Sequence, residues 1–231
     1  MRVPLRVHWL QHADFEDLGC IAPALAARGD TVSCTRLWAG ETLPGVDAFD
    51  ALIVMGGPMN IYEVEQHPWL QPEKTLIRAA IDARKKVLGI CLGSQLIADV
   101  LGGAVTRNAH SEVGWHEVAL NEDGRKSKFF AGFPDRFTAF HWHGDTFAIP
   151  PQARNLMASL ACAHQALEFG EHVVGIQYHL EVTAANARDW FAHERPAPAT
   201  YVQVPEAILA DLDAFGMNNR LMLRLLGNWL G

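Results

Sequence analysis

Two short apolar runs constrain the fold of this chain more than any other feature. The run DALIVMGGP at 50–58 ends in a Gly-Gly-Pro turn, and the run VLGIC at 87–91 leads into a glycine-containing helix start. Strands without polar alternation are typical of a parallel sheet that is buried on both faces. Between the two runs, 73–86 has the spacing of an amphipathic helix, with acids early and bases late. A strand, a helix and a strand in this order predict an α/β fold.

The rest of the chain extends this pattern. A strand is predicted at 3–10, a helix near 16–28 that Gly29 closes, and another strand at 31–37. From about 104 to 180 the chain changes to strands and turns, which predicts antiparallel strands at one edge of the sheet. The expected fold is a mixed, largely parallel central sheet flanked by helices.

One domain is expected over 1–231, with a core at about 5–194. The Pro-rich stretch RPAPATYVQVP at about 195–205 predicts a linker. The apolar spacing of 206–231 predicts a C-terminal helical extension, which Gly216 is expected to divide into two pieces.

Composition excludes several classes of protein. With 19 Lys+Arg against 26 Asp+Glu, the formal charge is −7, so nucleic acid is not an expected partner. The longest stretch without a charged residue, 155–167, is too short for a membrane span, so no membrane partner is expected either. The N-terminal sequence lacks the apolar core of a secretory signal, which predicts a cytoplasmic location. The four cysteines have no spacing typical of zinc sites or of a disulfide framework.

Cys91 is the candidate nucleophile. It lies between Gly89 and Gly93, where a predicted strand turns into a predicted helix, which is the cysteine version of a nucleophile elbow. Glycines are required there because the turn is tight. The N–H groups and positive end of the following helix favour the thiolate form of a cysteine at this position. The alternative is a small residue that merely ends a core strand.

A reactive thiol also needs a base, and His179 in GIQYHLEV is the candidate. Residues i and i+2 of an extended chain point to the same side, so Glu181 is expected to orient His179 and to stabilise its imidazolium. The chain has 11 histidines, so this pattern alone would favour a structural histidine. The third motif, MGGPMN at 55–60, predicts exposed backbone N–H groups. The N–H of Gly57 and that of Leu92 would form a two-donor oxyanion hole.

Four motifs in order, GGPM, GICLGSQLIA, HWHGD and GIQYHLE, resemble the class I glutamine amidotransferase family. The likeness is strongest to stand-alone members similar to the glutaminase domain of GMP synthase, and it covers roughly residues 5–194. It implies the family's flavodoxin-like fold. It also implies a catalytic triad of Cys91, His179 and Glu181, with oxyanion donors at Gly57 and Leu92.

The resemblance further implies a set of contacts to bound glutamine, with one side chain near the nucleophile and a stretch of backbone facing the α-amino and α-carboxylate groups. These residues are Gln95 and the segment Trp142, His143, Gly144 and Asp145. The chain differs from many members at Ser94, where they have His, and at Leu180, where they have Pro.

By this resemblance, the expected function is hydrolysis of the glutamine side-chain amide, which releases ammonia for an acceptor reaction on another chain. The expected partners are glutamine or another γ-glutamyl small molecule, and a synthase or synthetase subunit in trans. No cofactor is expected. The chain has no P-loop lysine motif and no G-x-G-x-x-G, so it is not expected to activate an acceptor with ATP itself.

Other functions remain open on the sequence. A hydrolase of a different γ-glutamyl compound would use the same acyl chemistry, and a catalytically silent partner subunit would keep only the fold. Related thiol hydrolases and chaperone-like proteins place a histidine directly after the cysteine, where this chain has Leu92. His141 and His143, with His110 or His116, form a conceivable metal site, but such histidines are usually structural, so no metal is expected.

Overall fold

The computed structural model describes residues 3–231 as one nine-stranded mixed sheet with helices on its faces. The predicted fold class is therefore confirmed. The strand order across the sheet is β2-β1-β3-β4-β9-β8-β7-β5-β6. The strands are β1 (Arg6–Gln11), β2 (Thr31–Arg36), β3 (Ala51–Val54), β4 (Lys86–Ile90), β5 (Val105–Leu120), β6 (Arg136–Phe147), β7 (Arg154–Ser159), β8 (Ala166–Phe169) and β9 (Val173–Ile176).

Five strands, β2, β1, β3, β4 and β9, are parallel and form the centre of the fold. The two apolar runs are buried as predicted: all residues of β3 are buried, and so are those of β4 after Lys86. All residues of β9 are buried as well. The α-helices are α1 (Ile21–Arg28), α2 (Leu70–Asp82), α3 (Leu92–Val100), α4 (Glu122–Lys126), α5 (Ala184–His193), α6 (Pro205–Ala210) and α7 (Leu212–Leu230).

The remaining strands extend the sheet in antiparallel order, as the change of pattern after 104 predicts. The long hairpin of β5 and β6 is its outer edge. Its register shifts between Arg107 and Glu112, where β5 carries extra residues relative to β6. Irregularities of this kind interrupt the ladder of hydrogen bonds and are frequent beside functional sites.

Two expectations about helices are wrong. The first helix begins at Ile21 rather than near 16, because the preceding segment turns away to contact Glu181: the N–H of Cys20 donates to the Glu181 carbonyl at 2.9 Å. The C-terminal helix is not divided at Gly216. α7 runs through that residue, and the break falls at Asp211, whose side chain accepts from the Ala214 N–H and caps the helix.

The C-terminal helix is part of the main core rather than a free appendage. Met222, Leu226 and Trp229 of α7 are buried in the same apolar cluster as residues of the central sheet. The stretch before α6 runs beside β5, where Val202 forms a bridge with Val113. No helix among residues 3–231 is long and apolar enough to cross a membrane.

Candidate active site

The site lies where four parallel strands end. β1, β3, β4 and β9 lead directly into the segments that carry His12, Gly57, Cys91 and His179. In open α/β sheets the carboxyl edge of the parallel strands is the usual place for a ligand site, because loops from several strands converge there.

Cys91 occupies the predicted elbow between β4 and α3. Its backbone has φ 50° and ψ −109°, a conformation that a residue with a side chain adopts only when its surroundings hold it there. The Cys91 N–H donates to the Ile176 carbonyl at 2.8 Å, and the Cys91 carbonyl accepts from the Ser94 hydroxyl at 2.7 Å. Hydrogen bonds to both its N–H and its carbonyl therefore hold the backbone that carries the thiol.

Gly93 allows the elbow to form against the neighbouring strand. A Cβ at this position would lie 2.0 Å from the Val54 carbonyl oxygen, and the Gly93 N–H donates to the Met55 carbonyl at 3.1 Å. A side chain would push α3 away from β3, so the glycine is required by close approach of the two backbones.

His179 and Glu181 form a buried pair after β9. His179 Nδ1 lies 2.7 Å from Glu181 Oε1, and the His179 backbone N–H donates to the Phe140 carbonyl at 2.7 Å. Burial lowers the pKa of His179, but the Glu181 carboxylate and the Cys91 sulfur raise it more, so the pKa lies well above its usual value. The ring is therefore stabilised as an imidazolium.

Cys91 and His179 meet at Gly56. A Cβ placed on Gly56 would lie 3.2 Å from His179 Cε1, 3.7 Å from Cys91 Cβ and 2.7 Å from Glu16 Oε2. Cys91, His179 and Glu16 also line one small cavity of about 40 Å³. The sulfur is thus within reach of the imidazole and open to a cavity, as a nucleophile with a partnered base requires.

The two predicted oxyanion donors flank the thiol. Gly57 and Leu92 line a larger cavity together with Cys91. No residue in 3–231 accepts a hydrogen bond from the Gly57 N–H, and Leu92 is the first residue of α3, where the N–H has no partner within the helix. Neither N–H group is therefore occupied within the described chain, as the predicted oxyanion hole requires.

His12 orients the Gly57 donor. Its Nδ1–H donates to the Gly56 carbonyl at 2.8 Å, and its Nε2 lies 2.7 Å from Glu73 Oε1. The Gly56 carbonyl and the Gly57 N–H belong to one planar trans peptide, so they point in opposite directions. Because His12 holds the Gly56 carbonyl, it also fixes the direction of the Gly57 N–H, which points to the opposite side of the peptide.

The larger of the two cavities at Cys91 has a volume of about 370 Å³. It is lined by every residue that the sequence predicts to contact glutamine: Gln95, Trp142, His143, Gly144 and Asp145. The Trp142 carbonyl lies 3.6 Å from Cys91 Sγ. The buried Asp145 carboxylate accepts from the Tyr62 hydroxyl at 3.1 Å and from an Arg107 N–H at 3.5 Å.

A protein-family profile identifies the family of the chain that carries this site. The profile described as "Glutamine amidotransferase class-I" matches residues 20–193, which include the elbow, HWHGD and the His-x-Glu pair. The chain belongs to the class I glutamine amidotransferase family.

Individual members of the family agree with this assignment. The chain is 37% identical over 195 residues to YfeJ of Salmonella typhimurium, a glutamine amidotransferase-like protein, covering 83% of this chain and 82% of YfeJ. It is 34% identical over 136 residues to one of the subunits of the glutamine-hydrolysing GMP synthase of Saccharolobus solfataricus, covering 58% of this chain and 68% of that one. A glutamine amidotransferase structure from Thermotoga maritima superposes with a TM-score of 0.90 at 31% identity, covering 99% of each chain.

His12, Gln177 and Glu16 of this amidotransferase site were missed on the sequence. Gln177, two residues before His179, donates from Nε2 to Cys91 Sγ at 3.6 Å, and its Oε1 accepts from Gln95 Nε2 at 3.2 Å. The same i, i+2 argument that relates Glu181 to His179 could have found it. Glu16 had no such signal, because it reaches the site only through the path of the chain after β1.

Glu16 is an unusual carboxyl group. It is 7% exposed, and its carboxyl oxygens make no hydrogen bond to any residue in 3–231. Burial raises its pKa to about 7, against an opposing effect of the nearby His179 and His12. The group therefore titrates close to neutral pH beside the candidate nucleophile.

Proposed function

We propose that the chain hydrolyses the side-chain amide of glutamine with a Cys91, His179 and Glu181 triad, and that it delivers the ammonia to an acceptor reaction on another chain. One observation carries the proposal: a thiol held at a strained strand-to-helix turn shares a cavity with a buried, carboxylate-paired imidazole. Family membership supports amide hydrolysis of glutamine as the chemistry.

In the first step, the Cys91 thiolate attacks the γ-carbonyl carbon of glutamine. The carbonyl oxygen becomes an oxyanion, which the N–H groups of Gly57 and Leu92 stabilise. The protonated His179 then donates its proton to the leaving nitrogen, so that ammonia departs and a γ-glutamyl thioester remains on Cys91. The raised pKa of His179 keeps this proton available at neutral pH.

In the second step, water hydrolyses the thioester. The neutral His179 left by ammonia release takes a proton from water, and the hydroxide attacks the thioester carbonyl in the same oxyanion hole. Glutamate leaves and the Cys91 thiolate with the His179 imidazolium is restored. The overall balance is glutamine and water to glutamate and ammonia.

Substrate selection is assigned to the larger cavity. The segment from Trp142 to Asp145 provides backbone groups for the α-amino and α-carboxylate groups, and Gln95 lies one helical turn after the nucleophile. The held Asp145 carboxylate is suited to an α-ammonium group. The whole of 1–231 acts as one glutaminase domain in this proposal, with 195–205 beside the cavity and the acceptor site on a separate synthase chain.

A separate acceptor chain is supported by the relative that is itself a GMP synthase subunit. The test is ammonia release from glutamine by the wild-type chain and by Cys91→Ser, alone and with cell extract, across a panel of γ-glutamyl amides. Release from glutamine that Cys91→Ser abolishes is the expected result. Ammonia release only from another γ-glutamyl compound would mean that glutamine is not the substrate. A chain that releases no ammonia and is not labelled by an electrophilic glutamine analogue would contradict the proposal.

A further inference from the structure

A buried cluster of two histidines and a glutamate includes His143, which lines the larger cavity. His141 and His143 are two residues apart on β6, and Glu112 on β5 is paired in register with His143. One ligand atom from each of the three side chains lies within 4.8 Å of the others, and all three side chains are buried. Neither His110 nor His116 is in this group, and no local pattern in the sequence adds Glu112 to it.

The second ring nitrogen of His143 faces the Glu112 carboxylate. The Nδ1 of His143 lies 3.1 Å from the Asp145 carbonyl oxygen, which can only accept, so Nδ1 carries the proton. His143 Nε2 lies 3.1 Å from Glu112 Oε2, so a ring that carries its only proton on Nδ1 would set two acceptors against each other at this point. Two acceptors at this distance repel each other unless a cation lies between them.

His141 adds a second unsatisfied ring. It is completely buried, and neither of its nitrogens has a hydrogen-bond partner in the described chain. Leaving buried polar atoms unpaired is costly, and native structures rarely do so without a reason. His141 Nδ1 lies 3.9 Å from the same Glu112 oxygen, so one cation would satisfy both rings and the carboxylate.

The surroundings of Glu112 resemble the outer shell of a metal site. Its Oε1 accepts from the Ser159 hydroxyl at 2.7 Å, and its Oε2 accepts from Gln165 Nε2 at 2.7 Å. Ligating carboxylates are themselves held by hydrogen bonds, and ligating histidines donate their other N–H to a carbonyl, as His143 does to Asp145. Each oxygen keeps a further lone pair for a ligand bond.

We propose that Glu112, His141 and His143 bind one divalent transition-metal ion of the Zn²⁺ class. Ligand atoms around a tetrahedral Zn²⁺ are about 3.4 Å apart, so the three side chains need to move by only about 1 Å or less. A cavity of about 490 Å³ is lined by Glu112 and Ser159, so the carboxylate side of the cluster lies next to open space.

The ion would hold the strand that forms the wall of the glutamine pocket. The peptide of Trp142 lies between the two histidine ligands, and its carbonyl is 3.6 Å from Cys91 Sγ. The role is structural, because the cluster does not touch the sulfur. The test of metal binding therefore does not depend on whether the chain has glutaminase activity.

The experiment measures metal directly. Protein stripped with a chelator is dialysed against Zn²⁺, and bound metal is counted in the wild type, Glu112→Gln, His141→Gln and the exposed control His110→Gln. We expect one ion per chain in the wild type and the control, and loss of at least tenfold in affinity in the two cluster variants. Equal binding in all four proteins, or no binding in the wild type, overturns the proposal.

A second measurement avoids variants that fail to fold. Crystals of the wild type grown with Zn²⁺ give an anomalous difference peak at the zinc edge, which we expect between Glu112, His141 and His143. A peak elsewhere, or none, overturns the proposal and leaves a shared proton as the cation between His143 and Glu112.

Discussion

His179 Nδ1 and Glu181 Oε1 are 2.7 Å apart, and both side chains are about 2% exposed. A carboxylate in this position fixes the tautomer of the ring, with Nε2 left unbound by it. It also stabilises the imidazolium that the proposed reaction uses to protonate the leaving nitrogen. Together with the strained backbone of Cys91, this pair defines the chemistry proposed for the site.

Glu181→Gln is expected to lower kcat for ammonia release by about 10²–10⁴-fold. The amide can still contact the ring but cannot stabilise its charge, so the pKa of His179 falls toward the value that burial alone dictates. The imidazolium is then lost at lower pH, and the pH profile of kcat/KM shifts to the acid side. Glu171→Gln, at an exposed position, is the matched control. An unshifted profile in Glu181→Gln would refute the role of this carboxylate.

Cysteine labelling is expected to be selective for Cys91. Burial raises the pKa of Cys20 to about 12 and that of Cys34 to about 11, and burial also raises the pKa of Cys162. Those thiols remain protonated at neutral pH and react slowly, because the thiolate is the nucleophile. An electrophilic glutamine analogue should therefore add one label, which peptide mass spectrometry places on Cys91. Faster labelling of any other cysteine would show that the assigned nucleophile is wrong.

The sequence is sufficient for the parts of the site that depend on local pattern. The elbow at Cys91 and the i, i+2 pair of His179 and Glu181 follow from strand and turn geometry. Glu16 does not, because its position depends on the turn at Gly19, where a Cβ would lie 2.2 Å from the Glu181 carbonyl oxygen. That long-range contact delays the start of α1 and carries Glu16 into the small cavity. Glu112 is likewise joined to its histidines only by pairing between strands.

His12 is expected to act on the reaction through the Gly57 donor. His12→Ala frees the Gly56 carbonyl, so the peptide that presents the Gly57 N–H loses its orientation. Loss of one oxyanion donor typically lowers kcat by about 10²–10³-fold with little effect on substrate binding. His12→Asn retains a donor near the Nδ1 position and should recover part of the rate. If His12 had a purely structural role, His12→Ala would lower the melting temperature and leave kcat of the folded fraction unchanged. His110→Gln, at an exposed histidine, is the control for unspecific effects.

Glu16→Gln is expected to stabilise the folded protein above neutral pH. Because burial raises the pKa of Glu16 from 4.5 to about 7, the folded state holds a proton that the unfolded state releases between these values. Stability contributed by the neutral form is present below pH 4.5 and is lost as pH rises to about 7, a loss on the order of 3 kcal/mol. The variant lacks this loss, so its melting temperature should exceed that of the wild type at about pH 8 and approach it at about pH 5. Equal melting temperatures on the alkaline side would mean that the carboxyl is not desolvated.

Two glycines provide a matched pair for the close approach of α3 to β3. Gly93→Ala places a Cβ 2.0 Å from the Val54 carbonyl oxygen, and neither backbone can move without disturbing the elbow that holds Cys91. Overpacking of this kind costs about 1–3 kcal/mol or more, so we expect a lower unfolding midpoint in urea together with loss of labelling at Cys91. Gly227→Ala in the exposed face of α7 meets nothing within 4 Å and should raise stability by up to about 1 kcal/mol. If both variants shift the midpoint alike, helix propensity rather than the contact with β3 explains the effect at Gly93.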